Sequence, residues 1–351
     1  MRGQHWRLII SGIISLIILL VAFLNREELF KALETASHAD PLWLIIALIT
    51  ILLSYLISSQ VLQVVLVSLG YRLGIMRLWA TTLVAIVISQ SVPAGGVGSY
   101  AFFASIISRR GVPTGQATLV ASLEMISYIC AMLITFGFSL IFMTAHQLAT
   151  GGASLLAAFV ALFVISGVFF ILTRREEQLT HWLVSIHNLV AHWFRRDWDD
   201  SWARRLVNEL SNGRKLVASR RRDVALLVLI QLLALCGHSL AMLMVFHSLQ
   251  IETTFPVMMT AFGVALVTST FNVLPGGGGT VETALVAVLS QMGLGAMAVP
   301  GAIIFRLLNF WLLIPVATVC YYWLMHEPPP APQSNDSESS DSTVGDFSTK
   351  A

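Results

Sequence analysis

The sequence predicts an all-α polytopic membrane protein with about six full spans and two re-entrant helical hairpins, taking a crossing as about 20 apolar residues. Three observations predict this class. Of 351 residues, 56% are hydrophobic and 11% charged, whereas a soluble domain carries about 25% charged residues. A soluble chain this apolar could not cover its own surface. The apolar residues gather in long runs, and two of these runs are interrupted by similar motifs. One is Gln90-Ser-Val-Pro93-Ala-Gly95-Gly96-Val-Gly98 and the other Asn272-Val-Leu-Pro275-Gly-Gly277-Gly278-Gly279. Proline lacks an N–H and glycine weakens helices, so helix is interrupted at both. Broken backbone in hydrocarbon is tolerated only inside protein or along a wet cavity.

The first run, Leu8–Leu24, follows Arg2 and Arg7. No small-residue cleavage site follows it, so it is expected to be a retained span rather than a signal peptide. Residues 25–40 are polar, and Leu42–Leu69 is a second span. Leu78–Val92 and Ser99–Ser108 flank the first break, each short for a crossing, and suit the two arms of a hairpin. Spans are expected at Gln116–Met143, Ala153–Leu172 and Val224–Phe246. Phe255–Leu274 and Thr280–Met292 flank the second break. Met297–Met325 is the last span, where Pro300 and Pro315 predict a kink. The tail, 327–351, is Pro-rich and then Ser/Asp/Glu-rich and is expected to be disordered. Residues 1–326 thus form one transmembrane domain, with a polar loop at 173–222.

Charge sets the orientation, because Lys and Arg mark cytoplasmic loops. If both motif regions are hairpins, Arg2, Arg7, Arg72, Arg77, Arg109, Arg110 and the eleven basic residues of 173–222 fall on one side. Arg26 and Lys31 fall on the other. The N-terminus and the tail are then cytoplasmic. The two hairpins enter from opposite faces, and 42–143 and 224–325 become inverted repeats, an architecture of secondary transporters with a site at the broken helices. Gln90 and Asn272, Pro93 and Pro275, and Glu124 and Arg306 are each separated by 182 positions.

The apolar regions hold three ionisable groups other than histidine: Glu124, Glu282 and Arg306. Such a charge costs about 2.5–3.5 kcal/mol on insertion scales, which makes each a candidate site residue. Arg306 could hold an anionic group such as a lipid phosphate in a bidentate grip, with Glu124 or Glu282 balancing charge, binding a cationic headgroup or exchanging a proton. Alternatively, Glu124 and Arg306 form an ion pair that only locks the fold. Gln90, Asn272 and Thr280, with Pro93, Gly95, Gly96, Pro275, Gly277 and Gly278, would line the same site as polar side chains and freed backbone groups; tight helix packing is the alternative for the glycines.

Other chemistries find no support. Gly276–Gly279 lacks the Lys-Ser/Thr of a phosphate loop, and no G-x-S-x-G elbow exists. Cys130, Cys236 and Cys320 lie far apart and read as small core residues. His181, His187 and His192 are spaced so that they do not share a helix face, and no metal or cofactor is expected. His238 and His247 read as packing or interface residues. Apolar residues from Leu179 to Phe194 recur at helical spacing between arginines, as in a helix lying on an anionic membrane surface.

The two glycine motifs, the Thr280-Val-Glu282 that follows the second, and Arg306-Leu-Leu-Asn-Phe-Trp together resemble the lysylphosphatidylglycerol synthase transmembrane-domain family, also called flippase-like. The resemblance covers about residues 8–325, and the glycine motifs are specific as a pair and weak singly. It implies a bacterial-type inner-membrane protein that moves lipids or lipid-linked precursors. In the larger synthases this part is fused to a soluble aminoacyltransferase, which is not expected here. Members of the family often carry Glu-Arg after the first motif, where this chain reads Glu124-Met125. The expected function is translocation or binding of a phospholipid or lipid-linked headgroup between the hairpins. The alternative is a non-transporting scaffold for an envelope-lipid or glycan enzyme. Membrane lipids are the expected partners, with a second copy or an envelope enzyme as further candidates, and no nucleic acid.

Overall fold

The computed structural model of the chain describes residues 34, 37, 39–91, 95–146, 221–270 and 280–326, with the backbone alone at 95–97, 221–223 and 280. Their regular structure is helical throughout: α1 (Pro41–Ser68), α2 (Ile75–Ser91), α3 (Gly95–Ser108), α4 (Thr114–Ala145), α5 (Arg221–Ser248), α6 (Phe255–Thr270), α7 (Thr280–Leu289), α8 (Gly295–Arg306) and α9 (Leu313–His326). Among the described residues, four stretches are long and apolar enough to cross a bilayer: Pro41–Ser68, Thr114–Ala145, Val224–Ser248 and Val281–His326. The expected spans at 8–24 and 153–172, the interfacial helix and the tail lie outside the described residues.

Composition and capping explain the helices. Asp40 caps α1, its carboxylate accepting from the Leu42 N–H at 2.9 Å with Pro41 in the first turn. The outer face of α1 is apolar, with Leu42, Ile45, Ile49 and Leu53 exposed at helical spacing, while Ser54, Tyr55 and Ser59 turn inward. This reverses the pattern of a soluble helix, as lipid contact requires. Inward hydroxyls bond back to carbonyls four residues earlier, as Ser54 does to Thr50, Ser139 to Thr135 and Thr260 to Pro256.

Antiparallel packing of α1 on α5 forms the centre. Trp43 meets His247, Tyr55 meets His238, and Ser58 meets Gln231. Gly237 lies directly over Ser54, where an added Cβ would collide with the serine side chain, so the two helices approach closely. Around this pair α4 packs on α6, and α9 on α2. The short helices α2 and α3, flanking the first break, pack on each other, as do α6 and α7, flanking the second. At one end of the bundle the Asp40 N–H donates to the Ser248 carbonyl at 2.9 Å. Elsewhere Arg110 donates to the Leu324 carbonyl at 3.3 Å, tying the α3–α4 turn to the end of α9.

The 46 residues of Val281–His326 are not one rod. Gly293, with φ of 85°, breaks the helix inside a π-helical turn, Ser290–Leu294, and α7 and α8 fold back on each other. Only glycine adopts this left-handed geometry without strain. The kink expected from proline falls upstream of Pro315, in a second π-helical turn, Leu307–Trp311, where the Leu312 N–H bonds the Leu307 carbonyl. Pro315 has no N–H for the Trp311 carbonyl, so the preceding turn is free to widen. Pro300 is accommodated inside α8. Cys130, Cys236 and Cys320 are free and half-buried, and so sit at the margin of the core rather than within it.

Candidate functional site

The fold-back at Gly293 has a direct effect on charge. Glu282 and Arg306 are 24 positions apart, about 36 Å along a straight helix at ~1.5 Å per residue. Instead Arg306 Nε lies 2.8 Å from Glu282 Oε1, with the two side chains 10% and 17% exposed. Arg306 Nη1 also donates to Gln90 Oε1 at 2.7 Å. The guanidinium lies over the Phe310 ring, 4.3 Å from its centroid, a cation–π contact on the widened turn. One buried cation thus joins α2, which leads into the first glycine motif, to α7, which leaves the second.

The alternative of a Glu124–Arg306 ion pair is not what forms. Arg306 takes its carboxylate from the hairpin beside it, and Glu124 turns to α5. There Gln231 Nε2 donates to Glu124 Oε1 at 3.4 Å, and the Ser58 hydroxyl donates to Gln231 Oε1 at 2.9 Å. Gln231 is 1% exposed. Glu124 is thereby held by a neutral amide, whereas position 306 holds a cation paired with a carboxylate.

Between these two groups stand residues that a search for charge passes over. The Tyr55 hydroxyl donates to Asn309 Oδ1 at 2.9 Å in a buried setting. Tyr55 is within electrostatic reach of Arg306 and of Tyr128, and Tyr128 of Glu124. His238 is a packing residue, as expected, its Nδ1 2.8 Å from the Ala234 carbonyl and its ring between Tyr55 and Phe262. Tyr55, Gln231 and Asn309 were legible only as polar residues within apolar runs. Asn309 had the best signal, one turn after Arg306.

Among the described residues four buried side-chain atoms lack a hydrogen-bond partner, and one of them, Glu282 Oε2, belongs to the carboxylate that Arg306 holds; the others are the Ser91 hydroxyl, on the residue after Gln90, Gln63 Oε1 and Gln116 Oε1. Buried polar atoms normally find partners, so Glu282 Oε2 marks a place beside Arg306 where a polar ligand could be received. Of the other expected site residues, Gly95 and Gly96 open α3 and Thr280 opens α7. Pro93, Asn272, Pro275, Gly277 and Gly278 lie outside the described residues.

A helical bundle with apolar outer faces and a paired charge in its interior is that of a multi-pass membrane protein. The sequence matches the lysylphosphatidylglycerol synthase transmembrane region over residues 6–317, and the chain belongs to that family. It is also similar to a UPF0104 membrane protein of Methanocaldococcus jannaschii, with 20% identity over 283 residues, covering 79% of this chain and 82% of the relative.

Proposed function

We propose that this protein binds and translocates a phospholipid or lipid-linked headgroup at a site between the two glycine-motif hairpins. The observation that carries the reading is the reach of Arg306, whose guanidinium holds Gln90 at the first motif and Glu282 at the second. A phosphate on Arg306 would replace Glu282 and contact both hairpins at once, so that occupancy and hairpin position become linked. The carboxylate holds the cation while the site is empty.

An inverted repeat fits the same reading. Gly111 and Gly293, both left-handed, stand 182 positions apart in the turns that follow each hairpin. The packing of α4 on α6 mirrors that of α9 on α2. The α1–α5 crossing, Ser54 on Gly237 and Tyr55 beside His238, falls within one residue of the same offset. Antiparallel equivalents meeting at their own crossing point are what a two-fold axis in the membrane plane produces. With basic residues marking the cytoplasm, the Arg109–Arg110 turn and the end of α9 face inward in a bacterial-type inner membrane, and membrane lipids are the partners.

The test is translocation of a fluorescent phosphatidylglycerol in reconstituted vesicles. Arg306→Ala is expected to abolish headgroup movement while the protein remains monodisperse and helical. Unchanged translocation by that variant sinks the assignment.

A further inference from the structure

Glu124 is not used by the anion site. It is an intramembrane carboxyl, and its contacts suit a group that changes protonation state. A permanent carboxylate in such a place needs a cation or several N–H donors. Among the described residues Glu124 is paired with no Lys, Arg or His, and its side-chain hydrogen bond is the one long contact to Gln231. A permanently neutral acid would instead need an acceptor for its O–H. Gln231 can serve both states. As it stands, its NH2 donates to the Glu124 carboxylate while its carbonyl accepts from Ser58. After a half-turn of the amide, the carbonyl faces Glu124 and accepts from a protonated carboxyl, and the NH2 faces the Ser58 oxygen. The serine hydroxyl is then free to turn to a carbonyl of its own helix. In both states the group that Gln231 turns to Glu124, and the one it turns to Ser58, match in donor and acceptor.

We propose that Glu124, Gln231 and Ser58 form a proton-binding site where α1, α4 and α5 pack together, separate from the anion site at Arg306. The proton is taken from bulk water by the Glu124 carboxylate, giving the carboxylic acid, and is returned to water on release. No other bond changes. Of the titratable groups on the elements around it, Tyr128 on its own helix is within electrostatic reach of Glu124, Tyr55 on α1 is within reach of Tyr128, and Tyr100 on α3 bonds the Ser122 hydroxyl. The nearest face of α5 offers the neutral Gln231, and α6 has no ionisable side chain. Tyr128, Tyr55 and Asn309 lie between Glu124 and Arg306, so protonation at one end can bias the charge pair at the other. That coupling role rests on the transport reading above; proton binding does not.

The experiment is infrared difference spectroscopy of the full chain in lipid nanodiscs as pH is stepped through the range in which it stays folded. The expected result is a protonated-carboxyl C=O band that appears on acidification, shifts in D2O, is lost in Glu124→Gln and persists in Glu282→Gln. Should Glu124→Gln fail to fold, Gln231→Leu serves instead: it removes the donor for the carboxylate, and the band should be present at every pH. A band that titrates unchanged in either variant overturns the proposal. So does a band removed by sodium at fixed pH, which would make the trio a sodium site. Translocation assays do not enter these readouts, so loss of lipid movement in Arg306→Ala and loss of the Glu124 band are scored independently.

Discussion

Removing the guanidinium of Arg306 should destabilise the fold by more than its own contacts, because it strands a carboxylate. Arg306→Met keeps the volume of the side chain's stem and its packing on Phe310 but deletes the charge. Glu282 then sits 17% exposed without its cation, and Gln90 loses the donor at 2.7 Å. Breaking one partner of a buried pair costs about 3–5 kcal/mol. Both side chains are well under a third exposed, so solvent screening discounts this little. Glu282→Gln should cost less, about 1–3 kcal/mol, because the amide oxygen can still accept from Arg306 Nε. In the double variant Arg306→Met/Glu282→Gln no stranded charge remains, and the total should fall short of the summed single costs by about 0.5–3 kcal/mol. Equilibrium unfolding in mixed micelles measures all four corners of the cycle. Strict additivity would refute the pairing, and so would a Glu282→Gln variant less stable than Arg306→Met.

Two further predictions concern the frame. Gly237→Ala puts a methyl group into Ser54 at the α1–α5 crossing and should destabilise by about 1–3 kcal/mol through overpacking; Gly137→Ala, with open space around it, should be neutral or stabilising by up to about 1 kcal/mol. Thermal unfolding of the two variants side by side measures the difference. In a chain whose three native cysteines are replaced by alanine, the pair Trp43→Cys and His247→Cys should be joined by a thiol-specific crosslinker, because these side chains meet across the antiparallel helices. Trp43→Cys with Gln231→Cys should not be joined, and equal yields for the two pairs would contradict the packing.

Helix positions were largely legible because lipid leaves a coarse signal: apolar runs for spans, Pro and Gly for breaks. Where α1, α4 and α5 begin and end differs little from the runs that predict them. The site was legible in its members and not in its pairing. Charge counting found Glu124, Glu282 and Arg306, and the shared offset of 182 pointed to a meeting of the first and last. A shared offset, however, is a relation in sequence and does not imply contact. Contact between Glu282 and Arg306 depends on the left-handed turn at Gly293 and on the side-chain directions of two short helices, neither of which periodicity encodes. Tyr55, Gln231 and Asn309 were passed over for a related reason. A neutral polar residue in an apolar run carries little insertion penalty, so the sequence does not flag it. The π-helical turn at Leu307–Trp311 likewise has no sequence mark beyond Pro315, and it is this turn that sets Phe310 beneath the guanidinium.

The turn at Gly293 also bears on how the chain enters the membrane. It makes the Glu282–Arg306 contact nearly local, so this hairpin can leave the ribosome with its charges already neutralised and be inserted as a unit. Among the described residues Glu124 has no such early companion. Its amide partner, Gln231, is 107 residues further on, which at about 5–20 residues per second is roughly 5–20 s of synthesis. During that interval α4 lacks the amide contact that its carboxyl makes in the folded protein, until α5 arrives to supply it.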